Sequence, residues 1–280
     1  MIIDFHTHVF SPEIIAKRSE YLKHEPVLSE LYSDPKAKMT DAEDLLKALS
    51  EQQVDYAVMQ NLQWRQPDIC HISNEYIAAA ILSHPDKLGG FGMVSFENPR
   101  QAVREIEWCA AHGLKGIGEI RPAATLLRDI EGLRPVIEAL IETDLILSTH
   151  CSEPAGHLYP GKGDLTPEVL YPLIKAFPDL KLVCAHWGGG LPFYALMPEV
   201  KKALQNVYFD SAASPYLYSP QIYQRTAELC GEEHILFGSD YPLLKPQRLL
   251  REIDQLDLTG EYRQRLLSAN AATLLKLPQA

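Results

Sequence analysis

The sequence has no run of about 18 apolar residues, so no membrane-spanning helix is expected. It has no CxxC pair. Cys70, Cys109, Cys151, Cys184 and Cys230 lie far apart, and their odd number and wide spacing predict free thiols in a reducing cytoplasm. The opening Met1-Ile2-Ile3-Asp4-Phe5 lacks the basic region, apolar stretch and small-residue cleavage site of a secretory signal. Positive charge is in deficit: 26 Lys+Arg stand against 37 Asp+Glu, a net charge of −11. That balance speaks against nucleic acid or an anionic membrane as the main partner. No segment is low in complexity, no tail carries one sign of charge, and no GxGxxG follows the first apolar run. The last absence weakens an open, doubly wound nucleotide-binding sheet.

What is present is an ordinary globular composition, 46% hydrophobic and 22% charged over 280 residues. Short apolar runs alternate with segments of helical periodicity. Strands are expected at residues 2–5, 54–60, 88–96, 114–120, 145–149, 180–185, 207–210 and 234–238. Helix starts are expected at a Thr40/Glu43 capping box, at Ser73, near Pro135, at Thr166-Pro167 and at Ser219-Pro220. A last helix is expected over 261–275. Eight such units predict one α/β domain over 1–280, a (β/α)8 TIM barrel. Residues 10–39 lack clear periodicity and read as an insertion after strand one.

In such a barrel the C-terminal ends of the strands meet at one mouth. Strand one ends in His6-Thr7-His8, strand four in Glu119, strand five at His150, strand six at His186 and strand eight at Asp240. Alternate strand residues share a face, so His6 and His8 can take adjacent corners of one metal polyhedron. Zinc accepts imidazole nitrogen and carboxylate oxygen. A lone strand-end histidine is most often structural, but the joint pattern is hard to explain without a metal. His71, His84, His112 and His234 read as peripheral.

These residues carry a resemblance. Ile2-Ile3-Asp4-Phe5-His6-Thr7-His8 resembles the opening of the amidohydrolase superfamily. Ala185-His186-Trp187-Gly188-Gly189-Gly190-Leu191-Pro192-Phe193 and Phe237-Gly238-Ser239-Asp240-Tyr241-Pro242 are similar to its amidohydrolase-related branch, which includes decarboxylases. Ser268-Ala269-Asn270-Ala271-Ala272 is similar to that branch's last helix. The resemblance implies a barrel with one or two divalent metals, zinc being the expected ion. It makes His6, His8, His150 and Asp240 ligands. It gives His186 to the substrate or water in one-metal relatives, and to the second ion in two-metal ones. Many two-metal relatives use a carboxylated lysine at strand four, whereas Gly118-Glu119-Ile120 matches the glutamate version of TatD-like nucleases. Lys115 is expected on the face of Glu119 but about 13 Å down the strand, too deep to bridge metals. The acidic chain speaks against a nuclease. The resemblance also admits a homo-oligomer, with no interface legible.

The mechanism expected from these residues is hydrolytic. Metal lowers the pKa of bound water to about 7. Asp240 accepts its proton and passes it to the leaving group, and the metal or protonated His186 stabilises the oxyanion. The substrate is then a small amide, lactone or ester. The alternative is non-oxidative decarboxylation of a small unsaturated acid, and the third reading is a non-catalytic metal-binding protein. Arg121 and Arg65 are candidates to hold a substrate carboxylate. His157, Tyr159 and Lys162, in the loop 151–163, are candidates to cover the mouth and bind an anion. Trp64 and Trp187 either line the pocket or pack.

Overall fold

A computed structural model describes residues 1–278. Eight parallel strands follow one another in chain order: β1 (Ile3–His8), β2 (Tyr56–Gln60), β3 (Leu88–Gly92), β4 (Gly116–Ile120), β5 (Ile146–Thr149), β6 (Leu182–Cys184), β7 (Val207–Asp210) and β8 (Ile235–Leu236). The ring closes between its ends by backbone hydrogen bonds. Phe5 N donates to Phe237 O at 2.8 Å, His8 N to Tyr241 O at 2.7 Å, and Asp240 N to His6 O at 2.9 Å. The expected (β/α)8 barrel is therefore observed.

Strands covered on both sides need apolar residues on both faces. The inner face contributes Ile3, Phe5, Val58, Phe91, Ile146, Val183 and Leu236, and Leu274 and Leu275 of the last helical segment close the bottom. The outer face, with Ala57, Met59, Ile117, Leu147 and Phe209, packs on helix residues such as Leu45, Ile77, Ile106, Ile137, Leu170 and Leu249. Each such buried Val, Leu, Ile, Phe or Met side chain contributes about 1.5–3 kcal/mol. Those layers fix the frame and leave the mouth to polar residues.

Several expected boundaries are corrected. The helix Ala42–Gln52 is capped by Asp41, whose carboxylate accepts from Asp44 N at 2.8 Å, and not by Thr40, which is buried. Ser73 lies inside the helix Pro67–Ser83, which starts at the proline. Pro135 lies inside Ile130–Glu142, whose cap is Asp129. Thr166 does precede Pro167–Ala176, but its side chain makes no cap hydrogen bond. The helix expected at Ser219-Pro220 begins at Ile222, two residues past the proline, and a short helix, Ser214–Leu217, precedes it. The insertion holds three short helices, Pro12–Ala16, Arg18–Tyr21 and Pro26–Tyr32. They are too brief to display a period. Phe10, Ile14 and Leu28 bury them against the barrel's outer core. Among the described residues no helix is long and apolar enough to cross a membrane.

Candidate active site

Two irregularities in the strands aim the donors. In β1 the partners run Ile3 to Tyr56 and Asp4 to Ala57, then Thr7 to Met59, so one extra residue sits in β1. Ile3 and Phe5 face into the barrel. Unbroken alternation would send Thr7 after them and turn His6 outward. The extra residue reverses the phase, and His6 and His8 face the mouth together. In β4 the same happens between Ile117, paired with Leu147, and Ile120, paired with Thr149. Gly116, which leaves room for the Phe91 ring, is on the inner face, and Glu119 is brought to that side by the shift. This corrects the expectation that Lys115 shares a face with Glu119: the alternation between them is broken.

His150 directly follows β5 and His186 lies two residues past β6. Residues His186 to Gly190 run through left-handed backbone, with φ of 54°, 58°, 59°, 58° and 90°. Such a path costs about 1–2 kcal/mol for each non-glycine residue, which is why three of the five are glycines. Trp187 anchors it. Its indole N–H donates to Ser214 Oγ at 2.9 Å and its ring meets Tyr223 edge-on. Trp187 thus packs, as does Trp64, which donates to Asn61 Oδ1 at 2.9 Å. A Cβ on Gly189 would stand 2.2 Å from the Ser152 carbonyl oxygen. Gly189→Ala is therefore expected to cost about 2–4 kcal/mol from clash and backbone strain. A thermal melt showing an unchanged midpoint would contradict this.

The structure brings His6, His8, Glu119, His150, His186 and Asp240 together, all buried. His6 Nε2 and His8 Nε2 are 3.1 Å apart. Glu119 Oε2 is 3.7 Å from each of them, and Asp240 Oδ1 is 3.4 Å from His8 Nε2. Glu119 Oε1 is 3.1 Å from His150 Nδ1 and 3.1 Å from His186 Nε2. Arg121, two residues past Glu119, pairs with Glu30 at 2.9 Å.

The far nitrogens of three rings are held by acceptors. His6 Nδ1 donates to Asp210 Oδ2 at 2.8 Å, His186 Nδ1 to Ala212 O at 3.0 Å, and His150 Nε2 to Lys162 O at 3.1 Å. The neutral rings therefore present bare nitrogens to Glu119, lone pair against carboxylate. Only a cation or extra protons relieves that contact, so the donor set fits a divalent ion, with each ring oriented from behind. Without metal, protons take the place. Burial works against a charge on His6, but Asp210 and Glu119 outweigh it and raise its pKa to about 9. His186 rises to about 10, burial being outweighed by its hydrogen bond to Glu119 and by that group's charge. Burial opposes ionisation of Glu119 too, yet His150 and His6 hold it well below the ordinary range. Asp240 is brought to about 2, burial being outweighed by the His8 hydrogen bond and the charges of His6 and His186.

Two supporting residues escaped the sequence reading. Asp210 is fully buried, orients His6, and accepts from His186 N at 3.1 Å and Ala212 N at 3.0 Å. Its signal was available, since it ends strand seven. Asp4 accepts from Ser239 N at 2.8 Å and Ser239 Oγ at 2.6 Å, tying β1 to the segment that carries Asp240.

Above the donors opens a cavity of about 450 Å³. That size suits a small ligand. Val27, Leu31, Leu62, Leu217 and Leu243 supply apolar wall, and Arg121, His157, Tyr159 and Lys38 add polar groups. Arg65 does not join them: it is largely exposed and faces Glu97 at 3.5 Å. The Lys162 ammonium is turned to the carbonyls of Ala155 and His157. What Lys162 gives the site is its own carbonyl, behind His150. His71, His84, His112 and His234 lie outside the cavity.

A closed α/β barrel with buried histidine and carboxylate donors at the C-terminal ends of its strands is a metal-dependent enzyme scaffold. The chain belongs to the amidohydrolase family, whose model matches residues 3–277. It is 21% identical to a 2-amino-3-carboxymuconate-6-semialdehyde decarboxylase of Dictyostelium discoideum, over 98% of this chain and 91% of that one. Its fold is similar to 5-carboxyvanillate decarboxylase LigW of Sphingomonas paucimobilis, with a TM-score of 0.81, 18% identity and 99% of each chain covered. The LigW2 enzyme of Novosphingobium aromaticivorans, with bound manganese and 3-methoxy-4-hydroxy-5-nitrobenzoic acid, matches with a TM-score of 0.80 and 18% identity, over 99% of this chain and 97% of that one.

Proposed function

We propose that this chain is a divalent-metal-dependent, non-oxidative decarboxylase of a small aromatic or unsaturated carboxylic acid. One observation carries the reading: a buried ring of imidazole and carboxylate donors floors a small cavity with apolar walls and a guanidinium at its side. The decarboxylase relatives support it over hydrolysis of an amide, lactone or ester, the reaction favoured by the sequence alone. Histidine and carboxylate donors suit manganese as well as zinc, and a manganese-bound relative widens the zinc expectation. Five unpaired thiols support a reducing compartment.

The bound ion supplies positive charge that stabilises the electron-rich form of the substrate. Decarboxylation breaks the bond from carbon to carboxylate, releases CO2 and leaves the electron pair on carbon, which takes up a proton. Asp240 lines the cavity beside His8; as a carboxylate it first takes a proton from water and then passes it to that carbon. Its pKa of about 2 makes it a carboxylate at rest, so it carries a proton only in passing. His186 steadies Glu119 from the opposite side. Arg121 donates from Nη2 to Glu30 Oε1 at 3.0 Å and has further N–H groups for a substrate carboxylate.

The test is a panel of hydroxybenzoates, carboxyvanillates, unsaturated diacids, lactones and amides offered to manganese-loaded protein. CO2 release from a ring or chain acid is expected. Hydrolysis of a lactone or amide with no CO2 from any acid would overturn the reading. For the acid turned over, Arg121→Leu is expected to raise KM about tenfold or more, because a charge-assisted hydrogen bond contributes about 1.5–3 kcal/mol. Arg65→Ala serves as the control with unchanged KM.

A further inference from the structure

We propose that Glu30, in the insertion after β1, is a positioning residue that holds the Arg121 guanidinium ready for a substrate carboxylate. The proposal rests on the reading of Arg121 as the group that takes that carboxylate. Glu30 lies in the helix Pro26–Tyr32. Val27 and Leu31, one turn apart on that helix, wall the cavity, as does Arg121, and Glu30 does not. The Glu30 carboxylate therefore grips the guanidinium from outside the space a ligand would fill. Arg121 Nη2 donates to Glu30 Oε1 at 3.0 Å, and Nη1 stands 2.9 Å from Oε2. The second contact is not aligned as a hydrogen bond, and Nη1 is buried with no hydrogen-bond partner. A buried donor left bare is costly, and a ligand carboxylate is the acceptor it lacks.

The same Glu30 Oε1 accepts from the backbone N–H of Gly161 at 2.9 Å. One carboxylate thus joins three segments: the insertion, the end of β4 and the loop 151–163. Each segment is itself fastened. A Cβ on Gly163 would stand 3.1 Å from Arg121 Nε, so the loop runs close along the guanidinium. Between Gly161 and Gly163 the Lys162 carbonyl accepts from His150 Nε2 at 3.1 Å and from Ser152 Oγ, which ties the loop to the end of β5. At the other end of the insertion's helix, Glu25 accepts from Arg65 N at 2.7 Å. The Arg121 hydrogen bond holds Glu30 ionised, below the ordinary carboxylate range, against the cost of burial. The consequence is preorganisation. A free arginine must be ordered when its ligand arrives, and ordering one rotamer-rich side chain weakens binding about two- to tenfold.

The experiment measures benzoate binding to the manganese-loaded protein by calorimetry, and KM for the acid turned over. Glu30→Ala is expected to weaken benzoate and raise KM about fivefold, with kcat little changed. Glu30→Gln keeps an acceptor oxygen and is expected to lose less. The deciding readout is a double-mutant cycle. Because Glu30 acts through Arg121, Glu30→Ala added to Arg121→Leu is expected to cause no further loss. Benzamide, the same ring without the charge, is expected to bind every variant alike. A half-exposed pair adds little to stability, so the thermal midpoint is expected to stay the same. Losses that multiply in the double variant, benzoate binding that is unchanged or tighter in Glu30→Ala, or an equal loss for benzamide would each overturn the positioning role. The binding arm needs no turnover. Coupled losses of benzoate without CO2 release from any acid would sink the decarboxylase and leave Glu30 in its role, and CO2 release with multiplying losses would do the reverse.

Discussion

Asp240→Asn is expected to lower turnover by about 10³-fold while the barrel stays folded. Positioned proton transfer contributes about 10²–10⁴-fold, and asparagine keeps the shape of the side chain while removing the proton-carrying oxygen. The backbone of residue 240 is fixed independently, by its N–H bond to His6 O at 2.9 Å. Its left-handed φ of 69° is one that asparagine tolerates well. The loss should therefore appear in kcat, with circular dichroism and thermal midpoint little changed. Near-normal turnover would remove Asp240 from the reaction. Collapse of the fold would show that its negative charge holds the barrel's closing seam instead.

The second large effect is removal of metal. Chelation is expected to abolish turnover, and Mn2+ to restore it. At a hundredfold excess over Kd, an ion that binds only the folded chain adds about 2.7 kcal/mol of stability per site. The sign with pH follows from the raised histidines. In the metal-free protein His6 and His186 add stability that is fully present below about 6.5, their ordinary value. It is lost as pH rises through about 9 and 10. An ion needs the same nitrogens bare, so it competes with those protons. The stabilisation by metal should therefore grow from pH 6 to pH 8.5. Thermal melts with and without Mn2+ at both values check this, and a metal-induced shift that shrinks with pH would contradict it.

The barrel was readable because its strands are apolar on both faces and its helices show a period. Boundaries failed where a neighbour competed for a role: Asp41 displaced Thr40 as cap, and Pro135 proved tolerable inside a helix. The donors were readable as strand-end residues. The reason they converge was not. Counting alternately from Ile3 turns His6 away from the mouth, and only the extra residue in β1 turns it back. Irregularities of register leave no mark in a single sequence. The supporting layer was missed for a related cause, since Asp210 and the Lys162 carbonyl act on rings and not on substrate. Lys162 looked useful for its charge, whereas its backbone is what reaches the site.

The seam between β1 and the segment after β8 has a consequence for how the protein is made. Asp4 and Ser239 lie 235 positions apart in the chain. Asp4 can clasp Ser239 only once the chain has emerged past β8. A nascent chain halted before β8 lacks the seam and one of its carboxylates, so the full donor set assembles only after that strand has emerged.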